Sequence, residues 1–176
     1  MRRVALFILY TLLFFGALLF FTPKENLYYF AEEQLKPLGV IIAYEEVIDH
    51  GFSLEIKHAN LYVQKIKSAD IQSAVFSIFG LYNTVSVSNV RLDKTFEPFF
   101  PLLIQRIDLR QNVITPLRVD ADAVGDFGEA EASVNLLGRT VDLLLKPSRL
   151  MLTRYKSTLS NLQKTKEGNY RYEYKF

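Results

Sequence analysis

The spacing of hydrophobic and polar residues changes along this chain and divides it into three parts. Residues Val4–Phe21 carry no charge, and as a helix a run of this length rises about 27 Å, close to the thickness of a bilayer's hydrocarbon core. Residues 24–36 place apolar side chains near helical spacing, and from Val40 onward the spacing becomes two, as in strands. The pattern predicts a cytoplasmic N-terminus and transmembrane anchor at 1–22, a linker helix at 23–39 and a β-rich domain at 40–176.

The apolar run favours an uncleaved anchor over a cleaved signal peptide. Arg2 and Arg3 precede it, so the positive-inside rule keeps the N-terminus in the cytoplasm and sends the rest of the chain outward. A signal peptide usually has a shorter apolar region followed by a small-x-small cleavage site. Here bulky residues end the run at Leu19–Phe21, and Thr22 and Pro23 follow.

The linker helix has a modest apolar stripe. Pro23 and Glu25 suit the first turn of a helix, and Pro37 and Gly39 end it. We expect this helix to pack on the sheet as a spacer. The alternative, a helix lying at the bilayer interface, is less favoured because its polar face carries few Lys and Arg residues.

Two strands in the first half of the β-rich part change phase along their length. Leu54 and Ile56 alternate with charges, but Leu61 and Val63 follow on the other parity, so the phase slips near His58-Ala59. A bulge at that point would restore the buried face. The same slip separates Val85 and Val87 from Val90 and Leu92, and the strings 56–63 and 85–92 can be aligned. This weak similarity suggests one strand-loop-strand unit used twice, with 76–82 as the loop between Ile71 and Val75 on one strand and Val85 and Val87 on the next.

The C-terminal half reads as strands followed by a helix and a last strand. Strands are predicted at 103–114, 117–124 and 129–136, and Gly138-Arg139 suits a two-residue type II′ turn. That turn would pair Leu136 with Val141, Val134 with Leu143 and Ala132 with Leu145. Residues 148–164 have helical spacing, with Ser148 as a cap. Residues 169–176 alternate aromatic and charged side chains, as a terminal strand does.

Charge and composition exclude several function classes. Without Arg2 and Arg3, the 21 basic residues fall to 19, equal to the 19 acidic ones, so no basic patch for nucleic acid is expected. The absence of cysteine excludes disulfides and cysteine metal sites. The segment 120–131 matches parts of a calcium loop, but Val124 stands at a ligand position and strand-like flanks replace the required helices. We expect an acidic solvent face there instead.

Catalytic motifs are scarce. His50 lies in a predicted turn and His58 at the strand slip, and neither has a visible partner for acid–base chemistry. The aromatic face of 170–176 could stack on a nucleic acid or a sugar, but packing on the sheet fits a terminal strand better. We therefore expect no enzymatic activity, no metal and no cofactor.

The order of these elements resembles the AsmA-like envelope proteins of Gram-negative bacteria. The segment 60–92, "NLYVQKIKSADIQSAVFSIFGLYNTVSVSNVRL", is similar to that group's unit of strand, Ala-Asp start, apolar loop and second strand. Within the group, "GEAEASVNLLGRTVDLLLKPSRLMLTRY" (128–155) and "EGNYRYEY" (167–174) resemble the C-terminal part of the type II secretion system protein N family. The resemblance is one of pattern and covers most of 23–176.

The resemblance implies an inner-membrane protein with a periplasmic domain of mainly β fold. That fold comprises the transmembrane helix, a short linker helix, and a curved antiparallel sheet with a C-terminal helix packed on it and a terminal aromatic strand. It also implies partners: secretion-system proteins, or phospholipid held on an apolar concave face that one helix covers only in part. The candidate binding residues on that face are Leu61, Val63, Ile71, Val75, Val85, Val87, Val134, Leu136, Val141 and Leu143.

Overall fold

The computed structural model describes residues 2–78 and 81–176, which form helices at the N-terminus and one antiparallel sheet. The helix α1 spans Arg2–Phe21, α2 spans Lys24–Leu35, and a 3₁₀ turn at Lys36–Leu38 ends the linker. The strands are β1 (Val40–Ala43), β2 (Glu46–Asp49), β3 (Ser53–Val63), β4 (Ile66–Ile78), β5 (Tyr82–Leu92), β6 (Leu103–Asn112), β7 (Arg118–Gly125), β8 (Gly128–Asn135), β9 (Thr140–Pro147), β10 (Gln163–Lys164) and β11 (Tyr170–Lys175).

The mainly β prediction is confirmed. The eleven strands are ordered β1-β3-β4-β5-β6-β7-β8-β9-β11-β10, and β2 pairs with β3 beside β1. The sequence neighbours from β3 to β9 are joined by short connections, as expected for antiparallel strands. The predicted loop at 76–82 is shorter than expected, because β4 continues to Ile78 and β5 begins at Tyr82; residues 79 and 80 lie outside the described residues.

Both predicted phase slips are present, and each lies at a residue with left-handed backbone. His58 has φ 56° and Asn89 has φ 52°, a conformation that Asn and His adopt more readily than most residues. The pairing on either side of His58 keeps one register, so the slip is a kink without an extra residue. Gln72 on β4 and Gln105 on β6 lie opposite these left-handed residues, and neither has a partner in the strand register. The kink therefore crosses four strands in a line, and the expected register-shifting bulge lies elsewhere, between Leu61 and Tyr62.

The turn between β8 and β9 differs from the prediction. Asn135 pairs with Thr140, Val134 with Val141 and Ala132 with Leu143, so the register is two residues from the expected one. The loop has four residues, and its left-handed position is Arg139 (φ 50°), while Gly138 has ordinary φ and donates its N–H to Asn135 Oδ1 at 2.9 Å. A shift of two keeps every side chain on its predicted face, because the strand period is two.

This turn gives the first testable prediction. We expect Arg139→Gly to stabilise the protein by about 0.5–1 kcal/mol, because glycine adopts positive φ without strain. Arg139→Val should destabilise it, because a β-branched side chain fits the left-handed region less well than the unbranched Cβ of Arg. Gly138→Ala should change little, since an added Cβ would meet Asn135 at 3.4 Å. Urea unfolding of the full chain in detergent micelles measures all three. A larger loss of stability on substitution of Gly138 than on substitution of Arg139 would instead support the predicted type II′ turn.

The predicted C-terminal helix is shorter and broken. The helix α3 (Arg149–Arg154) begins at Ser148, whose hydroxyl accepts the N–H of Met151 at 3.2 Å, so the predicted cap is confirmed. Tyr155 (φ −114°, ψ 36°) interrupts the helix, and α4 spans only Lys156–Leu159. Gln163 and Lys164, predicted as helix, form β10 instead. The helical cover for the sheet is therefore smaller than a continuous helix over 148–164 would provide.

Candidate functional site

The strand register collects nearly all apolar side chains on one side of the sheet, which we call the apolar face. Directly opposed residues of antiparallel strands point to the same side, so continuous rows can be followed across eight strands. One row is Leu54, Phe76, Val85, Leu109, Ala121, Ala132, Leu143 and Tyr172, and the next is Ile56, Ala74, Val87, Ile107, Ala123, Ala130, Leu145 and Tyr170. Neither row contains a charged residue.

The opposite side of the sheet is charged. Cross-strand ion pairs join Arg110 to Asp122, Arg171 to Asp142 and Lys146 to Glu131, the last at 2.6 Å. Hydrogen bonding from Arg171 lowers the pKa of the Asp142 carboxyl. Opposite charges that face each other in this way are typical of cross-strand pairing on a solvated face. Asp122, which lies in the segment 120–131 compared above with a calcium loop, takes part in one of these ion pairs.

Two separate clusters cover the ends of the apolar face. At one end Tyr28 of α2, only 8% exposed, packs with Leu54, Ile56, Ala59 and Ala74. Burial and the nearby Glu45 carboxylate raise the pKa of the Tyr28 phenol. The second cluster, at the other end, comprises Phe127, Leu145, Met151, Tyr155 and Leu159, with Phe100 packed against it. The predicted packing of the linker and C-terminal helices on the sheet is therefore confirmed.

Beside the clusters lies a band of apolar side chains that belongs to neither cluster; most are partly buried, and Tyr172 and Tyr174 are exposed. We call it the open strip. It runs across β5, β6, β7, β8, β9 and β11, about 24 Å at the usual spacing of strands. Its residues are Val85, Ile107, Leu109, Val119, Ala121, Ala132, Val134, Val141, Leu143, Tyr172 and Tyr174.

The structure divides the ten predicted site residues. Val85, Val134, Val141 and Leu143 lie in the open strip, so it brings four of them together. Ile71 and Val87 lie on the apolar face but pack into the Tyr28 cluster. Leu61 opposes Ala69 farther along that face, and Val63 lies at the exposed end of β3.

Two of the ten predictions are wrong. Val75 opposes Glu55 and Ser86 and so lies on the charged side, because the kink at Gln72 changes the parity of β4 after Ile71. Leu136 lies in the four-residue loop after β8, because the register differs by two from the predicted one.

Sequence reasoning missed the strip residues of β6 and β7, including Leu109 and Ala121. The segment 103–112 spaces Ile104, Ile107 and Leu109 with the same slip that is visible in β3 and β5, so this signal was available. Surface cavities of about 500 and 730 Å³ lie on the charged side. Curvature of the sheet with the apolar side concave stays a prediction.

The terminal strand extends the apolar face with an aromatic row. Tyr172 and Tyr174 stack with ring centres 6.4 Å apart, and Tyr174 and Phe176 stack at 6.5 Å. Tyr172 opposes Leu143 and Tyr174 opposes Val141. The predicted aromatic face is therefore confirmed, and it borders the open strip.

A joint between the N-terminal helix and the sheet lies beside the Tyr28 cluster. Lys24 is 3% exposed, and its Nζ donates to the carbonyls of Leu19 and Thr22 at 3.1 and 3.0 Å. Its backbone N–H donates to Asp49 Oδ2 at 3.1 Å, and Nζ lies 3.7 Å from Asp49 Oδ1. The ring of Phe20 packs on Phe52 with centres 5.2 Å apart. The end of α1 is thereby fixed to the edge of the sheet.

The joint predicts a pH dependence of stability. Burial acts to raise the pKa of Asp49, but hydrogen bonds from the Gly51 and Lys24 N–H groups and the Lys24 ammonium outweigh it and lower the pKa. A lowered folded-state pKa stabilises above the unfolded value of about 3.9, and this contribution is lost as pH falls through the folded value.

We expect Asp49→Asn to cost about 1 kcal/mol at pH 7. The difference from the parent chain should disappear once pH falls below the lowered pKa. Urea unfolding of the full chain in detergent at a series of pH values measures the difference. A difference that stays constant down to the lowest pH would contradict the ion pair.

The helix α1 is long and apolar enough to cross a membrane. Its most apolar 18-residue window has a mean hydropathy of 2.6, and none of that window is buried against the rest of the described chain. A signal sequence would pass the same test. In comparisons with protein-family models, curated proteins and solved structures, no match to this chain was found.

Proposed function

We propose that this chain is a non-enzymatic, membrane-anchored protein that holds lipid acyl chains on the open strip. The observation that carries the proposal is the strip itself: a band about 24 Å long, free of charge, partly exposed and packed into neither cluster. Large contiguous apolar surface on a soluble domain usually marks a binding site.

The strip matches an acyl chain in size and chemistry. Half of a bilayer's hydrocarbon core is about 15 Å thick, so one chain of a phospholipid fits along the strip. Each methylene group moved from water onto an apolar surface contributes about 0.8 kcal/mol. Side chains of the strip range from Ala to Tyr, and the small ones, Ala121 and Ala132, lie next to each other on β7 and β8. They leave room along the middle of the band.

A polar group lies at one end of the strip, where a lipid's polar part would leave the apolar surface. Asn83 donates from Nδ2 to Gln111 Oε1 at 2.9 Å, while its own Oδ1 is buried and has no hydrogen-bond partner among the described residues. Gln111 Nε2 donates to the carbonyl of Asn112 at 3.1 Å, and this fixes the orientation of both amides. Asn83 thus places a polar side chain with one unused hydrogen-bond acceptor at this end of the strip.

The proposal includes a location. The helix α1 stays attached as a single anchor in the inner membrane of a Gram-negative bacterium, with Arg2 and Arg3 in the cytoplasm and the sheet in the periplasm. The charge asymmetry at the helix start supports this orientation. Reporters active only in the periplasm or only in the cytoplasm, fused after Phe176, test it: periplasmic activity is expected. Cytoplasmic activity would refute the orientation, and a purified chain that starts after Phe21 would refute retention.

A phospholipid with a photoreactive group on its acyl chain tests lipid binding directly. The full chain is reconstituted into liposomes that contain this lipid, irradiated and digested, and labelled peptides are identified by mass spectrometry. We expect label on α1 and also on strip residues of β6, β7 and β9, such as Leu109, Ala121 and Leu143. The charged side is the internal control and should carry none. Label confined to α1 would refute the proposal.

A second candidate is a component of a secretion apparatus, as the resemblance to the protein N family implies. The observation that favours it is the edge of β11: β10 pairs only with Tyr170 and Arg171, so within the described chain Tyr172–Lys175 have no outer neighbour. An unpaired edge can accept a strand from another protein. Deuterium exchange separates the two candidates, because added secretion components would protect the amides of β11, whereas lipid on the strip would not.

A further inference from the structure

The loops at one end of the strands form a continuous apolar edge, which we call the anchor-side rim. It comprises residues 50–52, Leu81, residues 113–117, residues 136–139 and Phe176. The antiparallel register places all of them at the same end, because β3, β5, β7 and β9 begin there and β4, β6, β8 and β11 end there. Backbone hydrogen bonds join neighbouring members: Ile78 N–H to Phe52 O at 3.2 Å, Val113 N–H to Leu81 O at 3.1 Å, Leu136 N–H to Leu117 O at 2.8 Å and Phe176 N–H to Arg139 O at 3.0 Å.

The rim carries three of the four most exposed large apolar side chains of the sheet domain, the fourth being Tyr44. Ile114 is 92% exposed, Leu137 80% and Leu81 79%. The segment 113–117, Val-Ile-Thr-Pro-Leu, contains no charged residue. Exposed leucine and isoleucine at successive loop tips cost solubility unless an apolar phase receives them.

The opposite ends of the strands have a different composition. Their connections contain Lys65 after β3, and Lys94 and Glu97 between β5 and β6. Arg154 and Lys156 lie in the connection after β9, and Arg154 pairs with Glu97 at 3.0 Å. Of the described rim residues, only Arg139 carries a charged side chain. The two ends of the sheet therefore suit different surroundings.

The position of α1 identifies the apolar phase. The helix ends at Phe21, and Phe20 packs on Phe52 of the rim. The boundary of the hydrocarbon core therefore lies next to residues 50–52. Leu81 follows β4, one strand from β3, and the 113–117 loop lies three to four strand spacings away, about 14–19 Å.

We propose that Leu81, Val113 and Ile114 insert into the surface of the bilayer that α1 spans. Sheet twist of about 20–25° per strand turns more distant loops away from a flat surface, so the proposal is confined to these two neighbouring loops. Transfer of leucine and isoleucine side chains from water into an apolar phase is favourable. The insertion brings the Asn83 end of the apolar face to the membrane, where acyl chains could pass onto the strip; in this respect it deepens the proposed function.

Depth-dependent fluorescence quenching tests the insertion. The chain has no cysteine, so Leu81→Cys and Ile114→Cys each give one labelling site for an environment-sensitive dye. Matched controls are Ile66→Cys and Phe99→Cys, which are 61% and 63% exposed and lie at the opposite ends of the strands. Each full-length variant is reconstituted into liposomes with and without a phospholipid that carries a nitroxide near the top of its acyl chain.

We expect the nitroxide lipid to quench dyes at positions 81 and 114 at least twofold more than dyes at 66 and 99. Equal quenching at all four positions would overturn the inference. The quenching test of insertion and the photolabelling test of acyl-chain binding can fail independently. Photoreactive lipid that labels the strip, together with unquenched rim dyes, would leave the function standing and remove the insertion. Quenched dyes at the rim, without label on the strip, would support the insertion and refute acyl-chain binding.

Discussion

Replacing Leu143 by Gln is expected to lower acyl-chain photolabelling of the open strip about tenfold. Leu143 lies in the strip on β9, between Ala132 and Tyr172. A Gln amide there would be covered by a bound acyl chain without a hydrogen-bond partner, and such burial costs about 1–3 kcal/mol. A tenfold loss corresponds to about 1.4 kcal/mol, within this range. The measurement is the amount of photoreactive phospholipid attached to β6 and β7 in liposomes.

The neighbouring residue provides the matched control. Leu144 has the same side chain and is also half-exposed, but it lies on the charged side between Glu131 and Arg171. Leu144→Gln should leave strip labelling unchanged. Both variants should unfold at nearly the same urea concentration. Equal reductions of labelling by the two changes would mean that the label does not reach the strip by binding to the apolar face.

The second large effect is expected at the turn between β7 and β8. Gly128→Ala should destabilise the protein by about 3 kcal/mol or more, because two penalties combine. Gly128 has φ 113°, which L-residues rarely adopt, and a Cβ there would lie 2.2 Å from Lys146 O and 2.7 Å from Ser148 N. Strain at such a backbone costs about 1–3 kcal/mol by itself. The clash involves main-chain atoms, so it cannot be relieved by a side-chain rotation.

The clash would spread to the second cluster. Ser148 N–H donates to Phe127 O at 2.8 Å, and its hydroxyl caps α3 at Met151, which is fully buried. Displacement of Ser148 therefore disturbs α3 and the packing around Phe127. Gly168→Ala is the control, since Gly168 also has positive φ (86°) but no atom near the added Cβ; it should cost only about 1–2 kcal/mol. Urea unfolding of the full chain in detergent measures both. Equal losses would show that the contact with Lys146 is not tight.

The elements that could be predicted from the sequence are those that periodicity determines locally. The slips at His58 and Asn89 are visible because the apolar residues change parity there, and a strand with one buried face must follow that change. The turn at Gly138-Arg139 was mispredicted because glycine is the usual signal for positive φ, whereas here the residue after it takes that conformation. The sequence gives no signal for the helix break at Tyr155, because no helix-breaking residue lies there. Tyr155 itself packs in the second cluster.

For the candidate site, the sequence predicts only which side of the sheet most of the residues occupy. Val134, Val141 and Leu143 were placed on the correct side despite the shifted register, because a shift of two preserves the face. Val75 was misplaced because its strand kinks at Gln72, and Val75 is an apolar residue at a position that faces the charged side after the kink. That the middle of the face is open follows from tertiary structure, since it depends on where α2, α3 and α4 end.

The most direct measurement of the central claim compares two adjacent residues of β5. Val85 lies in the open strip, and Ser86 lies on the charged side, where its hydroxyl donates to Asp108 Oδ1 at 2.6 Å. A photoreactive amino acid at either position of the full chain, irradiated in intact cells, reports what covers each side. We predict phospholipid adducts at position 85 and none at position 86. Equal adducts at the two positions, or an absence of lipid adducts at position 85, would contradict it.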